Sequence, residues 1–249
     1  MLTNWKNVMG KSLIYLYAII LCIFNACSSD DISDPADKKI SKIESILNNG
    51  SESSSEYFSY DNQGRWIKSE LKKSYNNYIH TKTLSYSGNT ITYDDGWGYD
   101  IITFKINNNR ITSRGDNSEL DNYKYSNGYL VAIGNDYAEF QYSGENLVNV
   151  TEYNTYSITY TEYEDKVGFN IFDVDYNDGG VKACFNNSLY QFGYFGKKSK
   201  NLIKSIKMND KTILEYNYEL NNDGYVTEVT EIDTSNSTPY YATYKIYYE

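Results

Sequence analysis

Leu214-Glu215-Tyr216-Asn217-Tyr218-Glu219-Leu220-Asn221-Asn222-Asp223-Gly224-Tyr225-Val226 is the stretch from which the fold of this chain is read. Leu214, Tyr216, Tyr218 and Leu220 share one face of an extended segment, and Glu215, Asn217 and Glu219 share the other. Successive side chains of a strand point to opposite faces, so this period of two marks a strand with one side buried. Asn221 to Gly224 then supplies residues that tolerate the positive φ of a tight hairpin turn. Tyr225-Val226 begins the return strand.

The same unit recurs upstream. Tyr57 to Ile67 (YFSYDNQGRWI), Leu84 to Ile91 (LSYSGNTI), Phe104 to Ile111 (FKINNNRI), Tyr123 to Leu130 (YKYSNGYL) and Phe140 to Leu147 (FQYSGENL) each run strand, polar turn, strand. The residues entering these turns are Tyr60, Tyr86, Ile106, Tyr125 and Tyr142, separated by 26, 20, 19 and 17 residues. The repeat is therefore a β-hairpin and not a helical solenoid. Ile102, Phe104 and Ile106 alternate with Ile101, Thr103 and Lys105, and Ala242, Tyr244, Ile246 and Tyr248 alternate with Tyr241, Thr243, Lys245 and Tyr247. The best candidate for a helical turn is Asn186 to Phe195, where Leu189, Phe192 and Phe195 recur every third residue. Strands at this spacing number about 14 to 18. A sheet so wide must curl, split or close. The expected fold is all-β: an antiparallel meander formed as a rolled sheet or barrel.

Composition agrees. Of 249 residues 29 are tyrosine, and aromatics make up 16 of the 40 percentage points of apolar content. Tyrosine favours strands and buries a large ring while its hydroxyl stays wet. A net charge of −10 argues against a nucleic-acid partner, which needs a basic surface.

Lys6 and Lys11 precede the apolar run Ser12 to Phe24, which is too short for a spanning helix of about 20 residues and reads as a secretory signal. Phe24-Asn25-Ala26-Cys27 resembles a bacterial lipoprotein cleavage box, although Phe24 departs from the usual aliphatic residue. The resemblance implies cleavage after Ala26 and acylation of Cys27, and several acyl chains hold a protein to a membrane essentially permanently. Ser28-Ser29-Asp30-Asp31 resembles the acidic export signal of Bacteroidota lipoproteins, which implies transfer to the outer face of the outer membrane. The expected organisation is a signal peptide over 1–26, a lipidated cysteine and flexible tether over 27–39, and one Tyr-rich β domain over 40–249. Loss of Lys6 and Lys11 leaves 21 basic against 33 acidic residues, a net charge of −12. Cys22 leaves with the signal and Cys27 carries lipid, so Cys184 remains alone and reads as a small buried thiol.

Tyr194-Phe195-Gly196-Lys197-Lys198-Ser199-Lys200-Asn201-Leu202-Ile203-Lys204-Ser205-Ile206 resembles the hallmark of a Bacteroidota prolipoprotein family of unknown function with a porin-like β fold. Asp223 to Val226 and Ser126 to Leu130 match its hairpin pattern, and the likeness runs from about Ile40 to Glu249. The resemblance implies the fold and brings no catalytic residues. It does not imply a spanning barrel, which is apolar outward and polar within. A soluble barrel is the reverse, and both show one apolar face per strand.

Chemistry-bearing motifs are few. Asp173, Asp175 and Asp178 resemble the start of a calcium loop, but the glycine comes one position late and Cys184 stands where a bidentate Glu is needed. An Asp-rich turn is the simpler reading, and no metal or cofactor is expected. Asp94-Asp95-Gly96-Trp97-Gly98-Tyr99 places an aromatic pair beside two carboxylates, a combination that suits stacking on a sugar ring. Trp66 follows a turn glycine and reads as core. Lys197, Lys198, Lys200, Lys204 and Lys207 form a basic run, read as lysine gatekeeping at a strand edge. His80 has no partner at metal spacing and reads as a surface strand residue. Arg114-Gly115-Asp116 reads as a turn. Nucleophile elbow, zinc-spaced histidines and phosphate loop are all absent. The sequence points to a surface-anchored binding or structural module for a glycan or protein partner. Its alternatives are a polysaccharide-acting hydrolase, for which two carboxylates suffice, and a membrane-spanning barrel.

Overall fold

A computed structural model of the chain describes residues 38–47, 53–76, 78–96, 101–115, 122–134, 138–152, 154–166, 168, 189, 193–235 and 237–249. Sixteen strands account for most of them. In chain order they are β1 (Ile40–Leu47), β2 (Ser53–Tyr60), β3 (Trp66–Lys73), β4 (Ile79–Ser87), β5 (Thr90–Asp94), β6 (Ile101–Asn107), β7 (Arg110–Arg114) and β8 (Tyr123–Ser126). They continue as β9 (Tyr129–Ile133), β10 (Ala138–Ser143), β11 (Asn146–Thr151), β12 (Thr155–Glu164), β13 (Asn201–Met208), β14 (Lys211–Leu220), β15 (Val226–Asp233) and β16 (Tyr240–Tyr248). Among the described residues Leu189 alone has helical backbone, and its carbonyl accepts the Tyr194 N–H at 3.0 Å.

Almost every strand pairs antiparallel with its neighbours in sequence, as a run of hairpins dictates. β1 also pairs with β16, so the chain ends lie side by side, and β7 and β8 are left as the two edges. The result is a nearly closed barrel with two unlike ends. One, the turn end, carries the short Asn/Asp/Gly turns between each even strand and the next odd one, except β12 and β13, which are joined there by the long connection 165–200. The other, the loop end, carries the remaining connections.

The turns form for the reason the sequence suggests. Asn108 and Asn109 have φ of 50° and 58°, and Asn127 and Gly128 have 52° and 87°, values that suit tight hairpins. Two turns are copies of one another. Asp61 Oδ1 accepts the N–H groups of Gln63 and Arg65, both at 2.9 Å. Asn221 Oδ1 accepts those of Asp223 and Tyr225, both at 3.0 Å.

Alternation sorts the side chains into an inner and an outer face. The inner face carries one contiguous apolar cluster drawn from every strand, in which Ile91, Ile111, Ile206 and Val229 are fully buried. A round barrel of about 16 strands would leave its inward side chains around a water-filled channel. Here the cluster residues are sealed from solvent. The outer face carries Lys42, Glu44, Lys68, Glu70, Thr81, Thr83, Ser85, Lys105, Gln141, Asn217 and Lys245. Ile46, Tyr57, Ile79, Ile101, Tyr241 and Tyr247 interrupt it.

Candidate functional site

The turn end is built from a device repeated six times. In the β1–β2 pair the ladder stops at Lys42–Tyr57, and the strands splay beyond it. The Tyr60 hydroxyl crosses the gap and donates to the Ile40 carbonyl at 2.7 Å. Tyr86 does the same to Trp66 at 2.7 Å, Tyr218 to Ile203 at 2.6 Å and Tyr248 to Val226 at 2.6 Å. Tyr160 reaches Leu147 at 2.5 Å, and Tyr125 reaches Ile111 at 2.7 Å across the two sheet edges. Each tyrosine lies three residues past the last paired residue of its strand, and each carbonyl two residues before that residue's partner. Where β6 has Ile106 in place of tyrosine, the backbone itself continues, and Ile106 N–H donates to Asn89 O at 2.8 Å.

Several of these rings carry a cation from the neighbouring turn. Lys39 Nζ lies 5.3 Å from the Tyr60 centroid, Arg65 4.2 Å from Tyr86 and Arg110 5.8 Å from Tyr125. Burial holds Tyr60, Tyr86, Tyr125, Tyr218 and Tyr248 protonated well above the ordinary tyrosine range. These tyrosines are a structural girdle. They leave no polar group offered to a ligand.

The loop end differs. Glu56 on β2, Ser69 on β3, and His80 and Lys82 on β4 all point inward, and the first three are 7%, 1% and 5% exposed. Ser69 Oγ donates to Glu56 Oε1 at 2.7 Å, and Lys82 Nζ stands 3.7 Å from the same oxygen. Register sets Glu56 and His80 on either side of Leu71. Gly96, just past β5, lies against the β4 end of this group: a Cβ on it would sit 3.4 Å from the His80 ring. Asp94 closes β5 opposite Thr83, and its Oδ1 accepts the Gly96 N–H at 2.8 Å. One residue on, Asp95 comes level with Lys82. An acid, an imidazole, a hydroxyl and an ammonium thus gather on the inner face of β2, β3 and β4 near the loop end. Such convergent polar groups in an apolar setting fix the orientation of a bound polar molecule.

Of the expected site residues, Asp94 pairs with Thr83 and Ile101 and so faces outward, away from this group, and Asp95 follows it in the chain. Trp97 and Tyr99 lie outside the described residues, as do Cys27, Cys184, Asp173, Asp175, Asp178 and Asp116. Among the described residues no cluster of His, Cys, Asp and Glu suits a metal ion. Trp66 is core, 3% exposed, with Phe58 at 6.5 Å between ring centroids. Two expectations are corrected. His80 is buried and not a surface residue, because it shares inward parity with Leu84 and Tyr86 on β4. The lysine run does not guard a sheet edge, because β13 lies between β12 and β14. Its members are engaged locally instead: Lys197 over the Tyr129 ring at 5.6 Å, and Lys200 with Glu145 at 3.0 Å. Glu56, Ser69 and Lys82 were not singled out from the sequence. Their signal was parity, since Glu56 alternates with Phe58 and Tyr60, and Lys82 with Leu84 and Tyr86.

No family model matches the sequence. No curated protein matches it either. Solved structures do. A porin-like protein from Bacteroides uniformis superposes with a TM-score of 0.63 at 17% identity, covering 84% of this chain and 98% of its own. A porin-like protein from Bacteroides vulgatus gives 0.56 at 17% identity, covering 86% and 99%. At that identity the likeness concerns the fold: this chain has the porin-like β fold.

Proposed function

We propose that this chain is a lipoprotein held by Cys27 at the outer membrane, facing the exterior, whose barrel works in water as a binding module for a glycan or a protein partner. The polarity of the wall carries the reading. A barrel that faces hydrocarbon is apolar outward, whereas this one presents Lys42, Glu44, Lys68, Glu70 and Lys245 outward and packs its apolar side chains within. A wall of that kind needs a separate anchor to stay at a membrane, and Phe24 to Asp31 reads as one. The loop-end group of Glu56, Ser69, His80 and Lys82, with Asp95 one residue beyond β5, is the place where a hydroxyl-rich ligand finds donors and acceptors together.

The test is a screen of extracellular glycans and surface proteins against the mature protein, followed by Lys82→Ala and Asp95→Asn. Each substitution is expected to weaken binding of a true ligand about tenfold or more, since each removes a hydrogen bond to a charged group. Ser59→Ala on the outer wall is expected to leave it unchanged. Affinity that survives both loop-end substitutions contradicts the site, and turnover of a polysaccharide favours the hydrolase.

A further inference from the structure

The barrel is almost closed, and the place where closure is thinnest lies between β7 and β8. Among the described residues these edge strands share one backbone bridge, Ser113 to Asn122. Every other adjacent pair shares a ladder of two or more residue pairs. Both lips are instead fastened by residues from the connection between β12 and β13. Tyr194 O accepts the Ile111 N–H of β7 at 2.8 Å. The Tyr125 hydroxyl of β8 donates to Ile111 O at 2.7 Å and approaches Tyr194 O at 3.4 Å. Gly196 bridges to Tyr129 of β9, and Lys197 N–H donates to Gly128 O at 2.8 Å. The Tyr194 ring stacks on Tyr86 of β4 at 6.0 Å, and the buried Phe195 packs on Tyr123 of β8 at 5.7 Å.

Gly196 fixes how closely this segment can approach. Its φ is +87°, and a Cβ there would lie 2.4 Å from Gly128 O and 3.2 Å from the Tyr125 ring. Only glycine allows the contact without moving backbone. The segment that resembles a family hallmark thus has a mechanical role that spacing in the sequence does not reveal.

We infer that residues 193–197 are a releasable strap, and that the barrel opens at the β7–β8 seam as a local event while the rest of the sheet stays folded. Among the described residues, letting go breaks the backbone contacts of Tyr194, Gly196 and Lys197 and the ring contacts of Tyr194 and Phe195, and leaves the ladders of the other strands whole. Openings of this kind cost less than global unfolding where few bonds hold an element. Release uncovers Ile111, Tyr123 and Phe195, and so gives the apolar interior its way out to solvent.

Native-state hydrogen exchange on the mature protein tests this. The amides of Ile111 and Lys197 are expected to exchange at least tenfold faster than the ladder amides of β1 and β16, with little dependence on denaturant. Gly196→Ala is expected to speed the seam amides a further tenfold or more and leave the β1–β16 amides unchanged relative to global stability. Tyr125→Phe, which removes one hydroxyl and no packing volume, is the milder companion if the glycine variant fails to fold. Seam amides that exchange only with the global transition, or variants that accelerate all strands alike, overturn the inference.

Discussion

Gly96 shows how much one residue is asked to do at the loop end. Its φ is +78°, and a Cβ would lie 1.8 Å from the Thr81 carbonyl oxygen, a contact that backbone must move to relieve. Gly96→Ala is expected to destabilise the fold by about 2 to 4 kcal/mol, the range for strained backbone combined with a clash. A urea midpoint unchanged from the parent would contradict the placement of Gly96 against β4. Glu231 gives a second residue-scale prediction. Burial raises its pKa, and the hydroxyls of Tyr216 and Tyr244 draw it part of the way back. A carboxyl raised on folding costs nothing below its unfolded value, and the cost grows as pH rises through the window up to the folded value. Glu231→Gln should therefore stabilise the protein at pH 8 and leave it unchanged near pH 4, as paired denaturation curves will show; an equal effect at both would contradict it. At this scale the sequence was only half legible. Asp94 and Asp95 stood out because carboxylates beside an aromatic pair suggest a ligand, yet strand register turns Asp94 outward. His80, Glu56 and Lys82 did not, because residue type says surface while strand parity says interior, and parity wins once the strand is in place.

Among the elements, the hairpin with its tyrosine clasp is the unit of construction. A tyrosine at nearly every turn entrance was legible as a repeat. Its partner was not, because the clasped carbonyl lies 20, 20, 14, 13, 15 or 22 residues earlier in the chain. The spacing becomes constant only when counted in register, after the loop-end connections of different length have been folded away. Removing one clasp hydroxyl strands a carbonyl where the ladder has ended. Tyr218→Phe is expected to cost about 1 kcal/mol in chemical denaturation. Tyr60→Phe, on a remote pair, should add to it independently, since distant sites with no shared partner are additive. A neutral double variant would make the clasps incidental. The clasps also set the response to alkali. Folding raises these tyrosines' pKa values, so their contribution is complete below the unfolded value of about 10 and is lost as pH climbs above it. Phenolate absorbance at 295 nm from these residues should rise together with loss of β-structure; phenolate formed well before unfolding would show them exposed.

For the whole molecule, alternation in sixteen strands told that each had one apolar face and left open which way it turned. A channel in lipid and a packed roll in water write the same pattern along the chain. The choice is made by closure: β1 joins β16, the edges meet at the strap, and the apolar faces end up inside with Lys and Glu outside. The proposed tethered role depends on this arrangement, with the apolar cluster inside and Lys and Glu outside. The direct measurement is to produce residues 28–249, which lack the cysteine to be lipidated but carry every described core residue, and to follow them by sedimentation and circular dichroism without detergent. The account predicts a dispersed, folded β protein with a cooperative melt that detergent does not raise. A chain that precipitates from buffer and folds only in micelles or bilayers would contradict it.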